Sequence, residues 1–276
     1  MGISPIEYKP WKGERTAEHE RAYVIAKDVL MNKMKSKGVL AVLIIGMILV
    51  HVFPAIFQSL IPHKKFTADM MIGHGFMGSY LKGGLYVIFS LLLASVVTSD
   101  IISQDLKDNS FVLYFSRSIT PVDYLLGKVS GGFTVMGMFC TLPLIAVGLA
   151  IIATQTGSDY GHSFEILGKA ASAGLLTQSF FLFYGVMLSS FTKRKAYAGV
   201  GTFMSFFVLT IVAEVFAEFD ENWKLLSPLN LLNYSYDRIF GYNIPNGVDE
   251  GLHSIVIAAV LIVPLVVLYL QTYRRA

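Results

Sequence analysis

Residues 38–63 read GVLAVLIIGMILVHVFPAIFQSLIPH, an unbroken run without Asp, Glu, Lys or Arg. A helix rises ~1.5 Å per residue, so ~20 apolar residues cross a ~30 Å hydrocarbon core. A charge at the centre of such a helix costs ~2.5–3.5 kcal/mol on insertion. Charge-free length therefore measures which segments can span a bilayer. Five more windows of at least 17 residues follow, at 83–99, 129–158, 170–192, 196–213 and 251–273. They predict an all-α integral membrane protein with six transmembrane helices, preceded by a leader over residues 1–37. The spans fall at roughly Val39–Ile61, Leu81–Thr98, Val129–Ala153, Ile166–Phe191, Ala196–Phe216 and Leu252–Leu270, within a transmembrane domain over 38–276. Lys82 borders the shortest window, and its long stem lets the ammonium snorkel to the interface.

Composition agrees. Hydrophobic residues make up 54% of the chain and charged ones 15%, against about 25% charged in soluble domains. With 22 Lys and Arg against 19 Asp and Glu, the charge balance is too mild to point to nucleic acid. The single cysteine, Cys140, excludes a disulfide within the chain. The first apolar window begins too far along, and has too many companions, for a cleaved signal peptide.

Six spans put both termini on one side, and loop charge selects it. Sixteen of the 22 Lys and Arg lie on the side of the termini, among them Lys193, Arg194 and Lys195 in a very short loop. Positive residues stay inside, so both termini are expected in the cytoplasm of a plasma-membrane protein. Ahead of the first span, Ala22, Ile25, Ala26, Val29, Leu30 and Met34 share one face of a helix over 20–36. Glu20, Arg21, Asp28, Asn32 and Lys35 share the other. Such a helix is expected to lie in the inner membrane interface, or else to pack on protein.

The longest loop on that side, 99–128, reads SDIISQDLKDNSFVLYFSRSITPVDYLLGK. Its mixture of charge with Ile101, Ile102, Leu106 and the Phe111-to-Phe115 run predicts a helix-turn-helix. Thr120 suits an N-cap, Pro121 a first turn and Asp123 the positive helix end, so a new helix begins there and runs on into the third span. On the opposite side, 217–251 contains Ser227-Pro228, again a cap and first-turn proline, with Gly241 placed to end the helix. The Leu- and Tyr-rich stretch between predicts an interfacial or re-entrant helix.

No G-x-x-x-x-G-K-[ST] phosphate loop is present, since Gly127-Lys128 and Gly168-Lys169 are followed by Val129 and Ala170. There is no H-E-x-x-H and no cysteine pair for zinc. His51, halfway down the first span and three residues before Pro54, is a candidate for a translocation path, or else a neutral histidine bonded to a neighbouring helix. Glu214, one helical turn from Glu218 near the far end of the fifth span, faces an exit path or marks the interface. His63, Met70, Met71, His74 and Met77 crowd the first outer loop, but their spacing matches no metal motif. Gly131, Gly132, Gly137, Gly148, Ala171, Ala173 and Gly174 read as a helix-packing seam.

The 99–128 loop resembles the signature region of the type-2 family of ABC transporter permeases. The matching residues are Ser103-Gln104-Asp105, Lys107-Asp108-Asn109-Ser110, Leu113 to Ser118, Ile119-Thr120, and Tyr124-Leu125-Leu126-Gly127-Lys128. Asp105 stands where the family has a glutamate, Asn109-Ser110 where it has Gly-Thr, and Ser118 where proline is common. The order of parts also matches from about residue 20 onward. The resemblance implies a non-catalytic permease subunit of an exporter, paired with a second protomer and docked on a separate ATPase subunit. That ATPase would bind ATP and Mg²⁺. A coupling helix from about Asp100 to Phe111 would seat in it, with Asp100, Asp105, Lys107, Asp108 and Ser110 polar and Leu106 buried. Two other readings stay open: a polytopic enzyme acting on lipid, and a membrane anchor or receptor for a cytoplasmic partner.

Overall fold

Side-chain caps set the starts of four helical elements, at Thr120, Asp220, Ser227 and Asp249. The computed structural model describes residues 20–53, 56, 77–82, 84–116, 119–154 and 160–275. Helix α1 (Arg21–Lys35) ends at Ser36, whose extended ψ of 116° turns the chain by 75° into α2 (Lys37–Gly46). Helix α2 widens into a π-helical turn, Met47–Val52, that carries His51. The predicted end of this span, near Ile61, lies outside the described residues.

The second span differs from its prediction. It is broken at Gly84, whose φ of 69° separates α3 (Met77–Lys82) from α4 (Leu85–Thr98). Two short helices follow, α5 (Ser103–Lys107) and α6 (Ser110–Phe115), in place of one helix from Asp100 to Phe111. Asn109 divides them with a φ of 54°, a left-handed conformation that Asn tolerates better than most residues. The helix that begins at Pro121 runs on into the third span, as its cap signal predicts, forming α7 (Pro121–Cys140) and α8 (Leu142–Thr154). Thr120 caps it in a full capping box with Asp123, so the cap predicted from sequence is the cap observed.

Helices α9 (Tyr160–Ser189) and α10 (Lys195–Phe216) form the fourth and fifth spans. A 3₁₀ turn (Glu221–Leu226) leads to α11 (Pro228–Phe240). The Ser227 hydroxyl accepts from the Asn230 amide and Gly241, at φ 83°, ends α11 in a conformation that only glycine adopts cheaply. The last span is α12 (Glu250–Tyr273), capped by Asp249. Among the described residues, five segments are long and apolar enough to cross a membrane, or six with the bent α1–α2 pair.

Helix α4 lies at the centre, packed against α2, α7, α9 and α10. The apolar window of its span is 56% buried, against 22% for α10 and 17% for α12. Long apolar helices that bury so little of themselves leave most of their surface to neighbours outside this chain. The small-residue seam serves close approach: a Cβ on Gly174 would lie 2.7 Å from the Thr141 Cα. One end of the bundle gathers α1, α5, α6, the 190–194 turn and the C-terminal residues. The other gathers α3, the 3₁₀ turn and α11, where Lys82 forms an ion pair with Asp237.

The leader helix forms ahead of the spans as predicted, and its apolar face has a protein partner. Its apolar face rests on α7, with Ile25 and Val29 buried there. A Cβ on Gly127 would meet Ile25 at 2.5 Å, and one on Gly131 would meet the Ala26 carbonyl at 2.7 Å. The two glycines form a flat seat for this face.

Candidate functional site

The loop between α4 and α7 is held from three directions. At its start, the Ile102 and Ser103 amides donate to the Ser189 hydroxyl at 3.2 and 3.0 Å, tying α5 to the end of α9. The Ser103 hydroxyl donates to the Ser99 carbonyl at 2.5 Å. From below, Asp105 turns inward. Its Oδ2 lies 2.7 Å from Lys128 Nζ and accepts from the Tyr124 hydroxyl at 2.6 Å. Asp105 and Lys128 are each only 8% exposed, so this pair is internal. From the side, Lys33 of α1 pairs with Asp100. Burial lowers the pKa of Lys33, and the Asp100 charge and hydrogen bond oppose that shift.

An aromatic cluster fills the space beneath α6. Tyr124 has ring centroids 5.2 Å from Phe111 and 5.1 Å from Tyr114. The Lys128 ammonium lies 5.6 Å from the Tyr124 ring centre and 5.8 Å from that of Tyr114, so ring faces add to the stabilisation of its charge. Arg275, near the chain's end, stacks its guanidinium 5.8 Å from Phe111 and donates to the Ser190 carbonyl at 3.1 Å.

What remains on the outside is a small mixed surface. Gln104, Lys107, Asp108 and Asn109 are exposed, with Gln104 Nε2 donating to Asp108 Oδ2 at 2.6 Å. Val112 and Leu113 project at 71% and 67% exposure. Two bare aliphatic side chains beside a Lys and an Asp, on a loop fixed from three sides, form a firm apolar knob with a charged rim.

The candidate residues therefore divide. Lys107 and Asp108 face outward. Ser110 is half-buried at the start of α6, and Leu106 is half-buried against the protein's own core. Asp105 is directed into the molecule and Asp100 toward α1. His51 is buried in α2, its Nδ1 bonded to the Tyr80 hydroxyl and its ring edge-on to Phe139 at 4.8 Å. Glu214 is exposed and accepts from Asn230 Nδ2 at 2.8 Å, bracing α11 on α10. The outer-loop His63, Met70, Met71 and His74 lie outside the described residues, as does the Met77 side chain. Among the described residues no three His, Cys, Asp or Glu converge as metal ligands.

Sequence patterning assigns no role to Lys33, Tyr124, Lys128 or the Val112–Leu113 tip. A signal for Lys33 exists: it continues the four-residue stride Ile25, Val29 on the apolar stripe of α1, where a cation demands a partner. A second buried histidine carries no such signal. His253, in the first turn of α12, shares a hydrogen bond of 3.1 Å with Ser235.

A family profile described as "ABC-2 family transporter protein" matches residues 22–275, which reach from the first turn of α1 to just past α12. Comparison with curated proteins finds no match.

Proposed function

This chain belongs to the ABC-2 transporter family, and from that premise we propose that it is the membrane-spanning permease subunit of an exporter driven by a separate ATPase. That ATPase binds ATP and Mg²⁺, and two permease protomers form the translocation path between them. The end bearing α1, α5, α6 and the C terminus faces the cytoplasm, in keeping with the sixteen of 22 Lys and Arg carried on that side. The ATPase docks there, and the force of ATP binding enters through the 99–120 loop.

One observation carries this reading. The loop exposes Val112, Leu113, Lys107 and Asp108 while Asp105, Asp100 and Ser103 bind it to α7, α1 and α9. A contact surface that transmits motion must be firm on its inner side and apolar on its outer one. The docking contact therefore centres on Val112 and Leu113, with Lys107 and Asp108 setting register. Asp105 acts as an internal brace.

The test is purification in mild detergent from the native membrane, asking whether an ATP-hydrolysing chain accompanies this one and whether its turnover depends on it. Leu113→Asp should abolish that association while insertion stays normal. Leu106→Asp is the poorer probe, because its side chain packs against the core. Undiminished co-purification of the ATPase with Leu113→Asp would sink the assignment.

A further inference from the structure

Between α9, α10, α11 and α12 lies an apolar cavity of about 390 Å³. Its back wall includes the buried Phe206, Leu225 and Leu231. Its front is open: Ile255 and Val263 of α12 line it and are still 67% and 51% exposed. Toward the α11 end it adjoins a second recess of about 380 Å³, with which it shares Leu225, Leu226 and Val256. That recess adds polar groups, from Asp220, Asn222 and Trp223. The two make one slot with a polar mouth and an apolar shaft.

Its dimensions identify an occupant. Along α12 the slot runs from Leu252 at the mouth to Pro264 at the floor, twelve residues of helix, or about 18 Å at ~1.5 Å per residue. Half of a ~30 Å hydrocarbon core is about 15 Å. The slot thus reaches as deep as one leaflet, starts where the span meets its polar loop, and opens sideways toward hydrocarbon. Trp223 sits at the mouth, at the depth where such rings favour the interface. Among the described residues, the one charged residue that lines the mouth is acidic, Asp220, while the adjoining Glu221 and Lys224 form an ion pair with each other. An anionic headgroup is repelled by that mouth, and one carrying an ammonium is attracted.

We propose that this slot binds one acyl chain of a zwitterionic phospholipid from the leaflet at the α11 end, with the ammonium headgroup at Asp220 and Trp223. The bound chain fills the space between the two least buried spans, α10 and α12. This site is separate from the loop that meets the ATPase, and it holds whether or not an ATPase docks.

The experiment is electron paramagnetic resonance on the full chain in reconstituted bilayers, with phosphatidylethanolamine or phosphatidylglycerol nitroxide-labelled near the end of one acyl chain. The wild-type chain should show a motionally restricted component corresponding to a single lipid, severalfold stronger for phosphatidylethanolamine. Ala259→Phe and Val263→Phe, which fill the slot from its open side, should each remove that component. Ile262→Phe on the lipid-facing side of the same helix should retain it, since Ile262 is 58% exposed and does not line the slot. Monodisperse elution of each variant confirms its fold. Persistence of the component in either filling variant that elutes so, its equal loss in Ile262→Phe, or a preference for phosphatidylglycerol would overturn the proposal.

Discussion

Replacing Asp105 with Asn keeps the shape of the brace under the loop and removes its charge. At 2.7 Å and an effective dielectric of about 20, the attraction to Lys128 is about 6 kcal/mol. Removing both ions from water costs several kcal/mol apiece, so the intact pair contributes little net stability. The single variant is another matter, because it leaves Lys128 buried and uncompensated at a cost of about 3–5 kcal/mol. Nearby Tyr114 and Tyr124 offer their ring faces to the stranded ammonium, which favours the lower figure. Local opening of the loop should therefore become easier by about 3 kcal/mol, or about 150-fold at ~1.36 kcal/mol per decade. Cleavage by trypsin after the exposed Lys107 follows the open population when reclosing is fast. Its rate should rise by that factor in Asp105→Asn and comparably in Lys128→Met. In the double variant neither charge is left alone, and the rise should fall short of the summed singles by at least about 2 kcal/mol. Additive effects within about 0.5 kcal/mol, or an unchanged rate in Asp105→Asn, would refute the internal brace.

Three more outcomes follow from the packing. Gly131→Leu should lift α1 from α7 and lower unfolding stability in detergent by about 1–3 kcal/mol, and the released helix should gain hydrogen exchange at Val29. Ser227→Ala removes the cap of α11 and should cost about 1 kcal/mol, read as faster exchange of the Asn230 amide. Lys82→Met strands the Asp237 carboxylate, whose side chain is 9% exposed. It should shift the thermal midpoint several times further than Lys224→Met, whose partner Glu221 is 45% exposed and whose pairing contributes ~0.5 kcal/mol or less.

Features set by neighbours along the chain are legible in the sequence alone. Thr120-Pro121-Val122-Asp123 and Ser227-Pro228 are complete cap signals within four residues, and both caps form as written. The spans are legible because charge-free length is a property of the chain alone. The candidate site is legible only in outline. Asp105 reads as a surface charge until Lys128, 23 positions later, is seen beneath it. Val112 and Leu113 belong to the same apolar run as Phe111 and Phe115, and a two-turn helix is too short for periodicity to tell which side chains face out. The break at Gly84 does carry a local signal, the Gly83-Gly84 pair, a dipeptide that marks turns, but the charge-free window that opens at Gly83 counts both glycines as part of the span.

The glycine seat of α1 also bears on how the molecule is made. Ribosomes add ~5–20 residues per second, and Gly131 is encoded about a hundred positions after Lys33. Helix α1 is thus complete about 5–20 s before its seat exists. Through that interval the α7 surface that covers Ile25 and Val29 in the finished fold is missing. The apolar stripe of α1 therefore needs another shelter until its glycine seat is made.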